Sequence, residues 1–110
     1  MPFKIRPCPR FSVCWPVTYI VGRFQGHGTV SNVSRSGWQF SGNLPLRIGE
    51  VCSLTVSLPT HQRVYVTAGI VRWVRGEAYG IETLEIDDDS QEDLDEYLLQ
   101  QESESDESIP

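Results

Sequence analysis

The chain has 110 residues, 39% of them apolar and 22% charged, and a formal net charge of −6. That length supports one domain around one core and excludes two. No apolar run approaches the roughly 20 residues of a membrane helix, and Pro7, Pro9 and Arg10 interrupt the amino terminus where a secretory leader would need an apolar stretch, so a cytoplasmic chain without membrane insertion is expected.

The net charge conceals a division. Residues 1–84 carry all nine Lys and Arg against Glu50, Glu77 and Glu82, a charge of +6, whereas residues 85–110 carry twelve acids and no base, −12. A basic body attracts anionic ligands over roughly one Debye length of about 8 Å, and an acidic tail either competes for that surface or only keeps the chain soluble. Cys8, Cys14 and Cys52 lack C-x-x-C spacing and are expected as buried, reduced thiols, with neither a disulfide framework nor a zinc site. His27 and His61 each stand alone among turn residues, and no Ser/His/acid or Cys/His order marks a nucleophile. Nothing points to an enzyme, a metal or a cofactor.

In chain order, the first feature is Arg6-Pro7-Cys8-Pro9-Arg10. Arginine's rigid fork suits a phosphate or the O6/N7 edge of guanine. The prolines bias Arg6 and Cys8 toward extended backbone, so an arm rather than a helix is expected over residues 1–11, ordering when it binds. Val13, Trp15, Val17, Tyr19 and Val21 then alternate over 12–21 as a half-buried strand, and Pro16 places it at an edge or a bulge. Asn32-Val33-Ser34-Arg35-Ser36-Gly37 forms a polar turn. Asn32 and Ser34 can donate and accept, and Gly37 allows positive φ or a close approach to a ligand. Trp38 and Phe40 mark a short strand after it.

Cys52, Leu54, Val56 and Leu58 alternate again, as do Val64, Val66, Ala68 and Ile70 beyond a Pro59–Gln62 turn, and Tyr79, Ile81 and Thr83 mark the last strand. Short strands so spaced indicate an antiparallel barrel or sandwich. After Ile86 the composition turns acidic. Ser90 and Asp93 suggest a capping box, and Leu94, Tyr97 and Leu98 share one face of a helix expected over 90–101. Residues 102–110 read as an acidic disordered tail.

The pair R-x-x-x-R and [D/N]-x-S-x-x-G, with Ala68-Gly69-Ile70-Val71-Arg72-Trp73 and Tyr79-Gly80-Ile81-Glu82 downstream, resembles the signature of the PilZ domain, a bacterial receptor module for the second messenger cyclic di-GMP. The resemblance spans 1–101 and implies a mainly all-β fold, a six-stranded antiparallel barrel over 12–86 with a short carboxy-terminal helix. It implies a ligand site in which Arg6 and Arg10 hold phosphate and guanine, Asn32 and Ser34 bond a guanine edge, and Gly37 keeps the turn tight. Trp73 matches a position that faces a base in some members, and its indole is read either as a guanine-stacking surface or as core packing. Trp15 and Trp38 are read as core or barrel surface; Arg35, Arg72 and Arg75 are secondary candidates.

Ile5 stands where some members carry a further arginine, which favours one bound dinucleotide over a stacked pair. The implied function is a receptor that passes its signal to a separate protein in motility, secretion, polysaccharide synthesis or a related process. The alternative is an adaptor of the same fold that no longer binds nucleotide, which the intact motifs oppose. A nucleic-acid-binding barrel would use the basic body, but basic stripes interleaved with aromatics are thin and the acidic tail opposes it.

Overall fold

In β1 (Phe11–Val21) the odd positions Trp15, Val17 and Tyr19 are buried between exposed Cys14, Pro16 and Ile20. One face of this strand therefore needs a core, and the other strands supply it. In the computed structural model, which describes the backbone of residues 11–107 and the side chains of 11–101, β1 is joined by β2 (Phe24–Ser34), β3 (Gly37–Gly42), β4 (Val51–Ser57), β5 (Arg63–Arg75) and β6 (Ala78–Ile86). All pairings are antiparallel, and the strands close a barrel in the order β1-β2-β3-β6-β5-β4. The expected arm lies outside the described residues except for Phe11, which opens β1. Pro16 sits between a bulge at Ser12/Trp15 and the start of pairing with β4 at Val17, a place that tolerates its missing N–H.

β2 shows no apolar alternation because two of its core-side positions are glycines. A Cβ on Gly26 would stand 2.6 Å from the Tyr19 ring, as would one on Gly42 of β3. The Tyr19 ring fills this space, packed against Phe40 with ring centres 4.8 Å apart and planes tilted by 53°. Its hydroxyl donates to the Leu44 carbonyl at 2.6 Å and accepts from the Leu44 N–H at 2.8 Å, closing off the loop after β3.

β5 departs from simple alternation. Val64 and Val66 are buried as expected, but bulges around Ala68 shift the register, so that Gly69 and Val71 face inward instead of Ala68 and Ile70. Of the cysteines, Cys52 is buried and Cys14 is exposed, because Cys14 falls on the outward phase of β1. Cys8 lies outside the described residues.

The helix, α1 (Asp88–Glu107), begins earlier and runs further than the expected 90–101. Gln, Glu and Ser carry it through the acidic stretch with no Gly or Pro to stop it, so the segment expected to be disordered from 102 is helical up to Glu107. Its cap also differs from the expected Ser90/Asp93 box. Asp87 Oδ2 accepts the Ser90 N–H at 3.3 Å as the N-cap, which frees the Ser90 hydroxyl to accept the Tyr65 N–H on β5 at 2.9 Å. With the Asp87 N–H donating to the Tyr65 carbonyl at 3.3 Å, the start of α1 is bonded to the barrel where β6 ends. Leu94 and Leu98 are buried, and Tyr97 meets Trp15 edge-on at 5.4 Å.

Candidate functional site

On the outer face of β2, β3, β6 and β5, two rows of paired residues run across the sheet. One is Asn32, Gln39, Gly80 and Trp73; the other is Ser34, Gly37, Glu82 and Ile70. Residues paired across antiparallel strands share a face, so each row has a glycine as bare backbone between flanking side chains. The result is a cleft of about 250 Å3, lined by Asn32, Ser34, Gln39, Arg72, Trp73 and Glu82 over a floor containing Gly37 and Gly80.

Both glycines are dictated by close approaches. A Cβ on Gly37 would stand 2.8 Å from the Ile81 carbonyl oxygen, and one on Gly80 would overlap the Trp73 indole. Gly37 is therefore required by strand packing; the left-handed backbone that its position in the motif allowed is not used. A bulge between Val71 and Trp73 adds one residue to β5, and Arg72 and Trp73 both reach the cleft as a consequence.

The turn after β2 is braced from within. Ser34 is buried, and its hydroxyl accepts the Ser36 N–H at 3.4 Å. The Ser36 carbonyl accepts from the Thr83 N–H at 2.9 Å, and Thr83 Oγ1 accepts from the Trp38 indole N–H at 3.0 Å. Arg35 projects from the turn onto α1, where its Nε and Nη2 reach the two Asp95 carboxylate oxygens at 3.0 and 3.3 Å. The Gln91 amide also donates to Asp95 Oδ1 at 2.7 Å.

Arg72 Nε donates to Glu82 Oε1 at 2.6 Å at the mouth of the cleft, with both side chains about half exposed. The Arg75 guanidinium carbon lies 5.3 Å from the Trp73 ring centre, a cation–π contact.

Asn32, Ser34, Gly37 and Trp73, anticipated from sequence, thus share one cleft, while Arg6 and Arg10 lie outside the described residues. Trp73 lies over Gly80 on the outer face, not in the core; Trp15 and Trp38 are core residues. Of the secondary arginines, Arg72 lines the cleft, Arg75 covers Trp73, and Arg35 is engaged with the helix. Gln39 was not singled out, and Gly80 and Glu82 were named only within the Tyr79–Glu82 stretch, without a role at the site. The signal for Gly80 was a glycine between the apolar strand residues Tyr79 and Ile81, which marks a close approach; Gln39 and Glu82 depend on cross-strand register and left no local signal. Among the described residues no group of His, Cys, Asp or Glu is placed to hold a metal, and no helix is long and apolar enough to cross a membrane.

The chain is thus a six-stranded closed antiparallel barrel with a terminal helix and, beside an N-x-S-x-x-G turn, a cleft on its outer face. The PilZ domain family profile matches residues 4–100, and the chain belongs to that family. The family is one of binding and adaptor modules. Among solved structures the chain resembles the Bacillus subtilis inhibitor of motility MotI/DgrA, with a TM-score of 0.78 and 18% identity; the similarity covers 93% of this chain and 53% of that protein, so this chain spans about half its length. No match was found among curated proteins.

Proposed function

We infer that the chain is a cyclic di-GMP receptor module that acts without catalysis and passes its signal to a partner protein. The observation that carries this reading is the cleft itself: Asn32, Ser34 and Trp73, three residue types suited to a guanine's edge and face, converge over a floor of bare backbone. Cyclic di-GMP presents two phosphates and two guanines. Arg6 and Arg10 supply phosphate and O6/N7 contacts, Asn32 and Ser34 bond a base edge, Gly37 keeps the floor open, and Trp73 stacks on a base that displaces the exposed Arg75 from its ring. One dinucleotide per chain suits the cationic groups available.

The output is a changed surface met by another protein, in motility, secretion, polysaccharide synthesis or a related process. Motility is included because a protein of the same fold is named as an inhibitor of motility. As a receptor for an intracellular messenger the chain works in the cytoplasm.

Trp73 offers a direct test, since it is half-buried in the cleft while Trp15 and Trp38 are core residues. Titration with cyclic di-GMP is expected to change the tryptophan emission saturably, and the change should be absent in Trp73→Phe. A signal that persists in Trp73→Phe would place the ligand elsewhere, and no saturable response in any variant would argue against nucleotide binding.

A further inference from the structure

Resting on the receptor reading, we propose that Glu82, held in place by Arg72, is a specificity-determining residue that accepts hydrogen bonds from the N1–H and N2–H2 donors of guanine. In the cleft Glu82 is paired across Gly37 with Ser34, two strands away. Two strand spacings amount to roughly 10 Å. The span between them is bare backbone, because Gly37 carries no side chain and Ile81 excludes one. A planar base lying over Gly37 therefore meets the Ser34 side of the cleft at one edge and Glu82 at the other.

The state of the carboxylate decides what it can recognise. Among the described residues, Oε1 takes the Arg72 Nε–H at 2.6 Å and Oε2 accepts from no protein donor. Arg72 thus orients the group and leaves an anionic acceptor at the cleft mouth. Against the phosphates of a dinucleotide such an acceptor is repulsive. Against a base it is selective: the Watson–Crick edge of guanine offers two adjacent donors, which a carboxylate accepts in bidentate fashion. The same edge of adenine places the N1 lone pair against the carboxylate, and hypoxanthine keeps N1–H but lacks the N2 amino group. A site built on a charged hydrogen-bond acceptor rejects analogues that lack the donor far more strongly than one built on apolar contact.

Because both members of the pair are about half exposed, neutralising Glu82 leaves the fold essentially unchanged, and a thermal melt verifies this. The experiment is calorimetric titration of cyclic di-GMP, cyclic di-IMP and cyclic di-AMP into the wild-type chain, Glu82→Gln and Arg72→Ala. For Glu82→Gln a loss of roughly tenfold or more in cyclic di-GMP affinity is expected. Its preference for cyclic di-GMP over cyclic di-IMP should narrow with it. Arg72→Ala should lose affinity while keeping more of that preference than Glu82→Gln does. Wild-type binding that Glu82→Gln leaves unchanged or strengthens overturns the assignment alone and reduces Glu82 to a counter-ion of Arg72. Failure of the wild-type chain to bind cyclic di-GMP overturns the receptor reading and this inference with it.

Discussion

Tyr19 shows how much of this barrel rests on one side chain. Its ring takes the space that Gly26 and Gly42 leave empty, and its hydroxyl satisfies both backbone groups of Leu44. Tyr19→Phe keeps the ring and strands the Leu44 N–H and carbonyl, so a loss of about 1–3 kcal/mol is expected in denaturant unfolding. Burial, with the charge of Glu50 second, pushes the Cys52 thiol up to about 11, and burial likewise raises the Tyr19 phenol. The unfolded chain releases the thiol proton near its ordinary value of 9.0 while the folded chain still holds it. Stability from the neutral thiol is therefore complete below pH 9, declines above it and is gone once pH has risen through about 11, an effect on the order of 2–3 kcal/mol. Unfolding midpoints from pH 8 to 11 should fall more steeply in the wild-type chain than in Cys52→Ala; equal slopes would refute the account of this thiol.

Among the elements, β2 and β5 mark where periodicity alone stops informing. β1 and β4 place large apolar residues at every second position, so their faces are legible locally. In β2 the core is filled by a tyrosine from the neighbouring strand, and glycine positions carry no apolar signal. In β5 the bulges reverse the inward phase at Gly69 and later bring Arg72 and Trp73 to the same cleft, a displacement set by pairing with β6. The motif residues Asn32, Ser34 and Gly37 were legible as site residues because they lie within six positions of one another; Gly80 and Glu82 could be quoted as part of a strand but not given a place at the site, because only register sets them opposite the motif. Gly80→Ala should drive the Trp73 indole from its seat, shift tryptophan emission and weaken cyclic di-GMP binding, while leaving the barrel folded because a side chain rather than backbone must yield. Leu94→Ala, by emptying the fully buried contact of α1, should cost about 2–5 kcal/mol in denaturant unfolding.

For the molecule as a whole, the opposition between a basic body and an acidic carboxy-terminal region acquires a structural place. The acidic helix docks on the barrel through Leu94 and Leu98, and its Asp95 takes Arg35 from the turn between β2 and β3. That turn carries the motif, so the Arg35–Asp95 pair links the residues of the proposed site to the helix. The pair is exposed enough that its contribution to stability is small, about 1 kcal/mol or less. Residues 102–110 carry four acids and no base, and they add negative charge. Truncation after Gln101 should leave cyclic di-GMP affinity unchanged or raise it, and a weaker titration would show that the acidic segment supports the site.

In the proposed receptor, cyclic di-GMP is held by the cleft beside the Asn32–Gly37 turn together with Arg6 and Arg10. Isothermal titration of cyclic di-GMP into the purified chain, with GTP and linear pGpG as competitors and with Arg10→Ala and Asn32→Ala alongside, tests it most directly. Saturable binding of one dinucleotide per chain is expected, selective over both controls and lost or strongly weakened in each variant. Absence of binding, or binding that both variants retain at full strength, would contradict it.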